Sequence, residues 1–329
     1  MVKLIAECAQ GSEGSLSLAK ELIRLASHAK ADIVKFQMVI AHELCTENYK
    51  YNDLFKSLEF EYNEYVELAD LSINLDIELC FDIFGLESLE ICKNLGLNSV
   101  KIHPTDLNNI VLLEALNASN IDTVFLGIGG AVIEEVDRAL LYLSNKEVVL
   151  MLGYQSYPTP LEDNAIVKLS LLKKHYHNEG DYKTGFADHE PSSSEFAVLL
   201  PAMAVALGAN YIEKHFTTNK LLKLEDSETA INPDEFLAFK ETLDMAAVVR
   251  GEEKSGFELS DSEVKYRHFV RRHVVASTSL SKDKVLKLSD LKLLRTSESN
   301  PIHDLAQCLG KKLIVDIQAN EAITKEMLK

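Results

Sequence analysis

The sequence predicts an α/β protein, a closed (β/α)8 barrel followed by a small β-rich C-terminal domain. Three observations carry this. Eight short β-branched or apolar runs lie between Lys3 and Thr217, segments of helical periodicity separate them, and no GxGxxG fingerprint follows the first run. Strands alternating with helices imply right-handed βαβ crossovers and a parallel sheet. An eightfold count fits a closed barrel better than an open doubly wound sheet.

Taken in order, the predicted strands are 3–8, 33–38, 78–83, 99–105, 123–129, 148–154, 184–189 and 211–217. Helical periodicity marks 16–29 (LSLAKELIRLASHA), 62–75, 85–95, 133–143 and 194–207. Ser15 supplies a helix start before the first of these, and Ser192, Ser193, Ser194 and Glu195 stand before the last. Gly96 and Gly208 follow helix ends, as a left-handed cap requires. The Gly11–Gly14 segment reads only as a loop, so a dinucleotide site is not expected. After Pro233, residues 234–249 form one more helix, closing a barrel domain of residues 1–250. A polar linker, 251–267, leads to residues 268–329, where short β-rich stretches are too few for a generous core and should lean on the barrel or on a second subunit.

Composition narrows the function classes. Of 329 residues, 47% are hydrophobic and 26% charged, which is globular composition. No apolar run approaches the ~18–20 residues of a membrane span, and the N-terminus has no signal-peptide core. Five cysteines are scattered without a CxxC pair, so a disulfide framework or cysteine zinc site is not expected and a reducing cytoplasm fits. A net charge of −17 argues against nucleic acid or an anionic membrane as partner. It leaves room for a small anionic substrate held by lysines in a cleft.

Barrel chemistry collects where strands hand over to loops at the C-terminal face. The strand ends are polar: Glu7 on the first, Lys35 and Gln37 on the second, Asp82 on the third, Lys101 and His103 and then Asp106 on the fourth. The sixth leads into Gln155 and Tyr157, the seventh ends Asp188-His189, and the eighth ends Glu213-Lys214-His215. Alternation places Lys35 with Gln37, Lys101 with His103, and Glu213 with His215, each pair facing into the barrel. His189 and His215 come from neighbouring strands with Glu7 beside them, a set that suits a divalent ion of intermediate hardness such as Mn2+, or else a hydrogen-bonded pair of core histidines. Lys35 and Lys101 form either an anion seat or counter-ions to Glu213 and Asp82.

The blocks IAECAQGSEGSLSLAKELIRLASHAKADIVKFQ, VKIHPTD, SYPTPLEDN, GFADH, GANYIEKHFT and DSETAINPDEF, in that order, resemble the sialic acid synthase family, which makes N-acetylneuraminate, legionaminate and pseudaminate and includes a spore-coat enzyme. The likeness spans nearly the whole chain; residues 268–329 resemble that family's antifreeze-like (SAF) domain. The resemblance implies a cytoplasmic, metal-assisted synthase that condenses phosphoenolpyruvate with the open-chain aldehyde of an N-acylated amino sugar. By motif position, His189 and His215 are the metal ligands, Mn2+ before Mg2+, and Glu7 holds a metal-bound water. Lys35 and Lys101 grip phosphoenolpyruvate, Tyr157 and Asp226 face the sugar, and Asp106 takes an acid/base position. Arg295 falls where the partner subunit's tail enters the site, implying a domain-swapped homodimer.

The chain also departs from the family pattern. Asp82, Gly127, Gln155 and Ala187 stand where small hydroxyl or amide residues surround the phosphate, His103-Pro104-Thr105 replaces a small-residue turn, and Asp106 is one methylene shorter than a glutamate. Each lost hydrogen bond to a phosphate costs ~1 kcal/mol, and Asp82 adds like-charge repulsion. The expectation is a rearranged phosphoenolpyruvate pocket, since both lysines remain. A different enol donor, used by a metal-dependent aldolase or lyase, and a non-catalytic sugar-binding homologue are the alternatives.

Overall fold

Eight parallel strands close on themselves in sequence order, each bonded to the next and the last to the first. The computed structural model describes residues 2–153, 159–176, 182–251 and 256–329. Contacts divide the chain into two units, Met1–Gly251 and Glu252–Lys329.

The first unit runs β1 (Lys3–Ala9), α1 (Leu16–His28), β2 (Ile33–Gln37), α2 (Ala41–Leu44), α3 (Asn52–Leu58), α4 (Tyr62–Asn74), β3 (Glu78–Ile83), α5 (Leu86–Asn94), β4 (Ser99–Ile102), α6 (Ile110–Asn117), β5 (Thr123–Gly127), α7 (Ile133–Tyr142), β6 (Glu147–Gly153), α8 (Val167–His175), β7 (Lys183–Asp188), α9 (Phe196–Ala206), β8 (Tyr211–His215) and α10 (Pro233–Arg250). All eight predicted strands are present. Ser15 caps α1 by accepting from the Leu18 N–H, as its position implied. Four helices escaped the sequence reading: α2, α3, α6 and α8. Two are a turn or two long, and α6 is apolar almost throughout, so neither length nor periodicity announced them.

β4 stops at Ile102, three residues short of expectation. Pro104 has no N–H for the ladder, and Pro104–Asp106 turns into a 3-10 helix instead. Strand alternation then sorts the side chains. Ile5, Ile33, Cys80, Phe125, Val149 and Tyr211 fill the barrel interior, whereas Leu4, Val34, Leu79, Val100, Val124 and Leu150 face the helices. The polar residues sit above the interior plug, at the C-terminal mouth.

The second unit carries α11 (Asp261–Val270), then β9 (His273–Ala276) and β10 (Leu291–Leu294) paired antiparallel. The remainder is tied by isolated bridges such as Val275 to Ala322 and Leu280 to Ile317. Val274, Leu286, Ile302, Leu313, Ile317 and Ile323 form its own small core. Residues 261–267, read from sequence as linker, belong to α11. Ser260 starts it through a reciprocal capping box with Glu263, a signal weakened by the polarity of the helix.

Candidate active site

The barrel mouth holds a cavity of about 350 Å³ lined by residues from β1 to β8 and their loops. Its floor is a buried charge network. Lys35, fully enclosed, pairs with Glu7, and its Nζ lies 2.8 Å from Asp82 Oδ1 and 3.9 Å from Glu213 Oε2. Lys101 Nζ donates to Glu213 Oε1 at 2.6 Å. Strand register dictates the arrangement: Glu7 is opposite both Lys35 and His215, Gln37 opposite Asp82, and Asp82 opposite Lys101. Adjacent inward side chains on neighbouring strands are thereby forced together. Burial works against the Lys101 charge, but Asp82 and Glu213 outweigh it and raise its pKa. Burial likewise opposes the Glu213 carboxylate, and Lys101 and Lys35 overcome it, holding the group below its ordinary range.

The two histidines meet as the strand order requires. The rings of His189 and His215 stand 5.1 Å apart, centroid to centroid, at 68°. His189 Nδ1 lies 3.1 Å from the Ala187 carbonyl. A carbonyl only accepts, so Nδ1 carries the proton and Nε2 the lone pair in the neutral ring. Burial pushes His189 down to about 4, and burial together with His189 itself and Lys214 pushes His215 well below its usual value. Both are neutral imidazoles at pH 7, the form that ligates a metal. Five carboxylates line the cavity, Glu7, Asp82, Glu213, Glu225 and Asp226, with Lys101 among them, and Glu213 Oε2 is buried without a hydrogen-bond donor among the described residues. This donor set fits a divalent cation. Among the described residues no three His, Cys, Asp or Glu side chains are grouped closely enough to hold a metal ion by themselves, so an ion here would rest on the two imidazoles and on ligands from outside the chain.

The other expected residues separate into three groups. Gln37 lines the cavity and accepts from Gln10 Nε2 at 2.8 Å; Asp226 lines it too, with Oδ2 3.6 Å from His215 Nδ1. Asp106 does not line the cavity: Asn109 Nδ2 and Thr105 Oγ1 donate to its carboxylate, which serves its own turn. Asp82 pairs with Lys35, not with Lys101 as its register neighbour would suggest. Arg295 belongs to the second unit, where its Nε donates to the Val270 carbonyl. Gln155 and Tyr157 lie outside the described residues.

Two features were not foreseen. A Cβ at Gly127 would fall 2.5 Å from Pro104 Cδ and 3.1 Å from the Ile102 carbonyl, so Pro104 occupies the space a side chain at 127 would need. Pro104 and Gly127 are therefore coupled by packing. Behind the histidines lies a second buried ion pair, Lys214 with Asp188. The sequence offered a signal for it: a lysine flanked by inward residues on a strand must point outward, into the helix layer.

A family model described as the NeuB family matches residues 22–255. N,N'-diacetyllegionaminic acid synthase of Legionella pneumophila is 26% identical over 98% of this chain and 93% of its own. N-acetylneuraminate-9-phosphate synthase of Drosophila melanogaster is 26% identical over 98% and 94%. Among solved structures, N-acetylneuraminic acid synthetase from Leptospira borgpetersenii aligns with TM-score 0.74 and 29% identity over 82% of this chain and 92% of that one. A spore coat polysaccharide biosynthesis protein of Bacillus subtilis, at 24% identity and TM-score 0.67 over 100% and 95%, shares the fold.

Proposed function

The chain belongs to the NeuB family, and from that premise we propose that it condenses phosphoenolpyruvate with the aldehyde of an N-acylated amino sugar, releasing phosphate and forming a nonulosonic acid. The observation that carries the reading is one cavity holding two neutral imidazoles beside a lysine–carboxylate floor. The π electrons of the enol form a bond from C3 to the aldehyde carbon, whose oxygen takes a proton. Water adds to C2 and loses one proton, and the tetrahedral centre collapses to the C2 ketone as its C–O bond to phosphate breaks and the C2 hydroxyl proton passes to the departing phosphate.

His189 and His215 would hold a divalent ion, Mn2+ before Mg2+, which supplies Lewis-acid polarisation of the aldehyde when bound. Lys101, kept charged by its carboxylate partners, offsets the negative charge of the donor. Glu7 exchanges its bond to Lys35 for the attacking water and takes its proton. Gln37, Glu213 and Asp226 orient the substrates by hydrogen bonds at the cavity wall. The active form in this proposal is a homodimer whose partner tail presents Arg295. The outer face of α9, with Leu199 54% and Met203 51% exposed on a helix that lacks any charged residue, supports an apolar association surface. A reducing cytoplasm suits its five free thiols.

Phosphate release from phosphoenolpyruvate, measured with Mn2+ across a panel of N-acyl amino sugars and with chelator controls, tests this. Release that requires both sugar and metal supports the synthase; silence from dimeric, metal-loaded protein overturns it. A second reading, a metal-dependent aldolase using another enol donor, draws on the enclosure of Lys35 by carboxylates and the Gly127–Pro104 packing. Its mark is turnover of an amino sugar that is indifferent to phosphoenolpyruvate.

A further inference from the structure

We infer that the buried pair Asp188–Lys214 is a positioning device that sets His189 and His215 at ligating distance. This rests on the reading that those histidines hold a metal. The pair faces away from the cavity, and neither side chain is among its lining residues.

Asp188 and Lys214 are register partners at the ends of β7 and β8, each 1% exposed. Lys214 Nζ donates to Asp188 Oδ2 at 2.5 Å and to the Glu190 carbonyl at 3.0 Å, and the Glu190 N–H donates to Asp188 Oδ1 at 3.2 Å. His189 is thus bracketed: the residues before and after it are both tied to one ammonium on the neighbouring strand. The backbone of Lys214 leads directly to His215. A single side chain therefore fixes the end of one histidine's strand against the other's, just where regular ladder pairing ends.

An ion pair so deeply enclosed is poor value as a stability device, since well-packed apolar residues of similar volume are often as stable or more so. What it adds is direction. A lysine with two oxygen acceptors on one side permits one backbone course through Asp188, His189 and Glu190, and an apolar pair would permit several. Metal ligands need orientation by groups that do not touch the ion, and histidine orientation is a common target of that support. The Ala187 carbonyl at His189 Nδ1 sets the tautomer, and the ion pair sets the backbone that delivers the ring.

The test uses the full-length protein and three variants: Asp188→Asn, Lys214→Met and the double Asp188→Asn/Lys214→Met. Mn2+ binding is read by the free-ion EPR signal, and the His189 tautomer by long-range 15N–1H NMR, with its signal identified from His189→Gln. We expect the double variant to melt as one cooperative transition, bind Mn2+ at least tenfold more weakly, and show His189 as exchanging tautomers. Asp188→Asn, nearly the same shape, gives a smaller loss and keeps the experiment decisive if the others do not fold. Unchanged Mn2+ affinity together with an unchanged His189 signal in folded Asp188→Asn or the double variant overturns the positioning role. If the parent protein binds no Mn2+ but the variants still lose the fixed tautomer, the metal reading falls and the positioning role stands.

Discussion

Replacing Asp82 by Thr should tighten phosphoenolpyruvate binding. Lys35 does not reach the cavity surface; it is enclosed by Glu7 and by Asp82 at 2.8 Å. A phosphate that uses Lys35 must displace Asp82 or sit beside it. Displacement forfeits a charge-assisted hydrogen bond of about 1.5–3 kcal/mol. Coexistence sets a unit negative charge roughly 6 Å from the phosphate, worth about 3 kcal/mol at an effective dielectric of 20. Both routes give a gain on the order of 2–3 kcal/mol for Asp82→Thr, roughly 30- to 150-fold in Kd. Glu7 and Glu213 remain to compensate Lys35, so the variant should fold. Calorimetric titration of phosphoenolpyruvate into Asp82→Thr, with Asp82→Asn as the charge-only control, reads the effect. An unchanged or weaker affinity in both would refute the reasoning that Asp82 holds the donor site closed.

Restoring a hydroxyl at Gly127 should fail on its own: Gly127→Ser pushes its Cβ into Pro104 and should cost about 1–3 kcal/mol in urea unfolding, a loss that Pro104→Gly relieves in the double variant. Lys101→Met strands Glu213 in the barrel, so we expect about 3–5 kcal/mol less stability and lost phosphate release; a melting curve matching the parent's would contradict the ion-pair assignment. In metal-free protein, His189 has a pKa near 4 against an ordinary 6.5, so the unfolded chain binds more protons between those values. Its contribution is fully present above pH 6.5 and falls away toward pH 4 by on the order of 3 kcal/mol, with His215 acting in the same direction. Urea midpoints from pH 7.5 to 4.5 should fall for the parent and fall less for His189→Gln.

The fold was legible where physics is local. Period-two apolar runs separated by period-3.6 segments announced eight strands and most of the long helices, because both periods are fixed by backbone geometry. The residues of the mouth were legible for the same reason, since alternation and strand order place Glu7, Lys35, Asp82, Lys101, His189, Glu213 and His215 at one end of one barrel. The short helices of the second βα loop and the helix over residues 261–270 were not, because one to three turns of largely polar chain carry little periodic signal.

Partner choice was decided only in three dimensions. The sequence put Asp82 among two lysines without saying which it would take; the closed barrel gave it Lys35 and sent Lys101 to Glu213, 112 residues away. The same holds for Asp106, which a 3-10 turn claimed, and for Pro104, whose ring fills the space at Gly127. A sequence fixes which face a side chain points to through its own backbone, but a hydrogen bond or ion pair depends on the distance between two backbones. That distance is set by the closure of all eight strands at once.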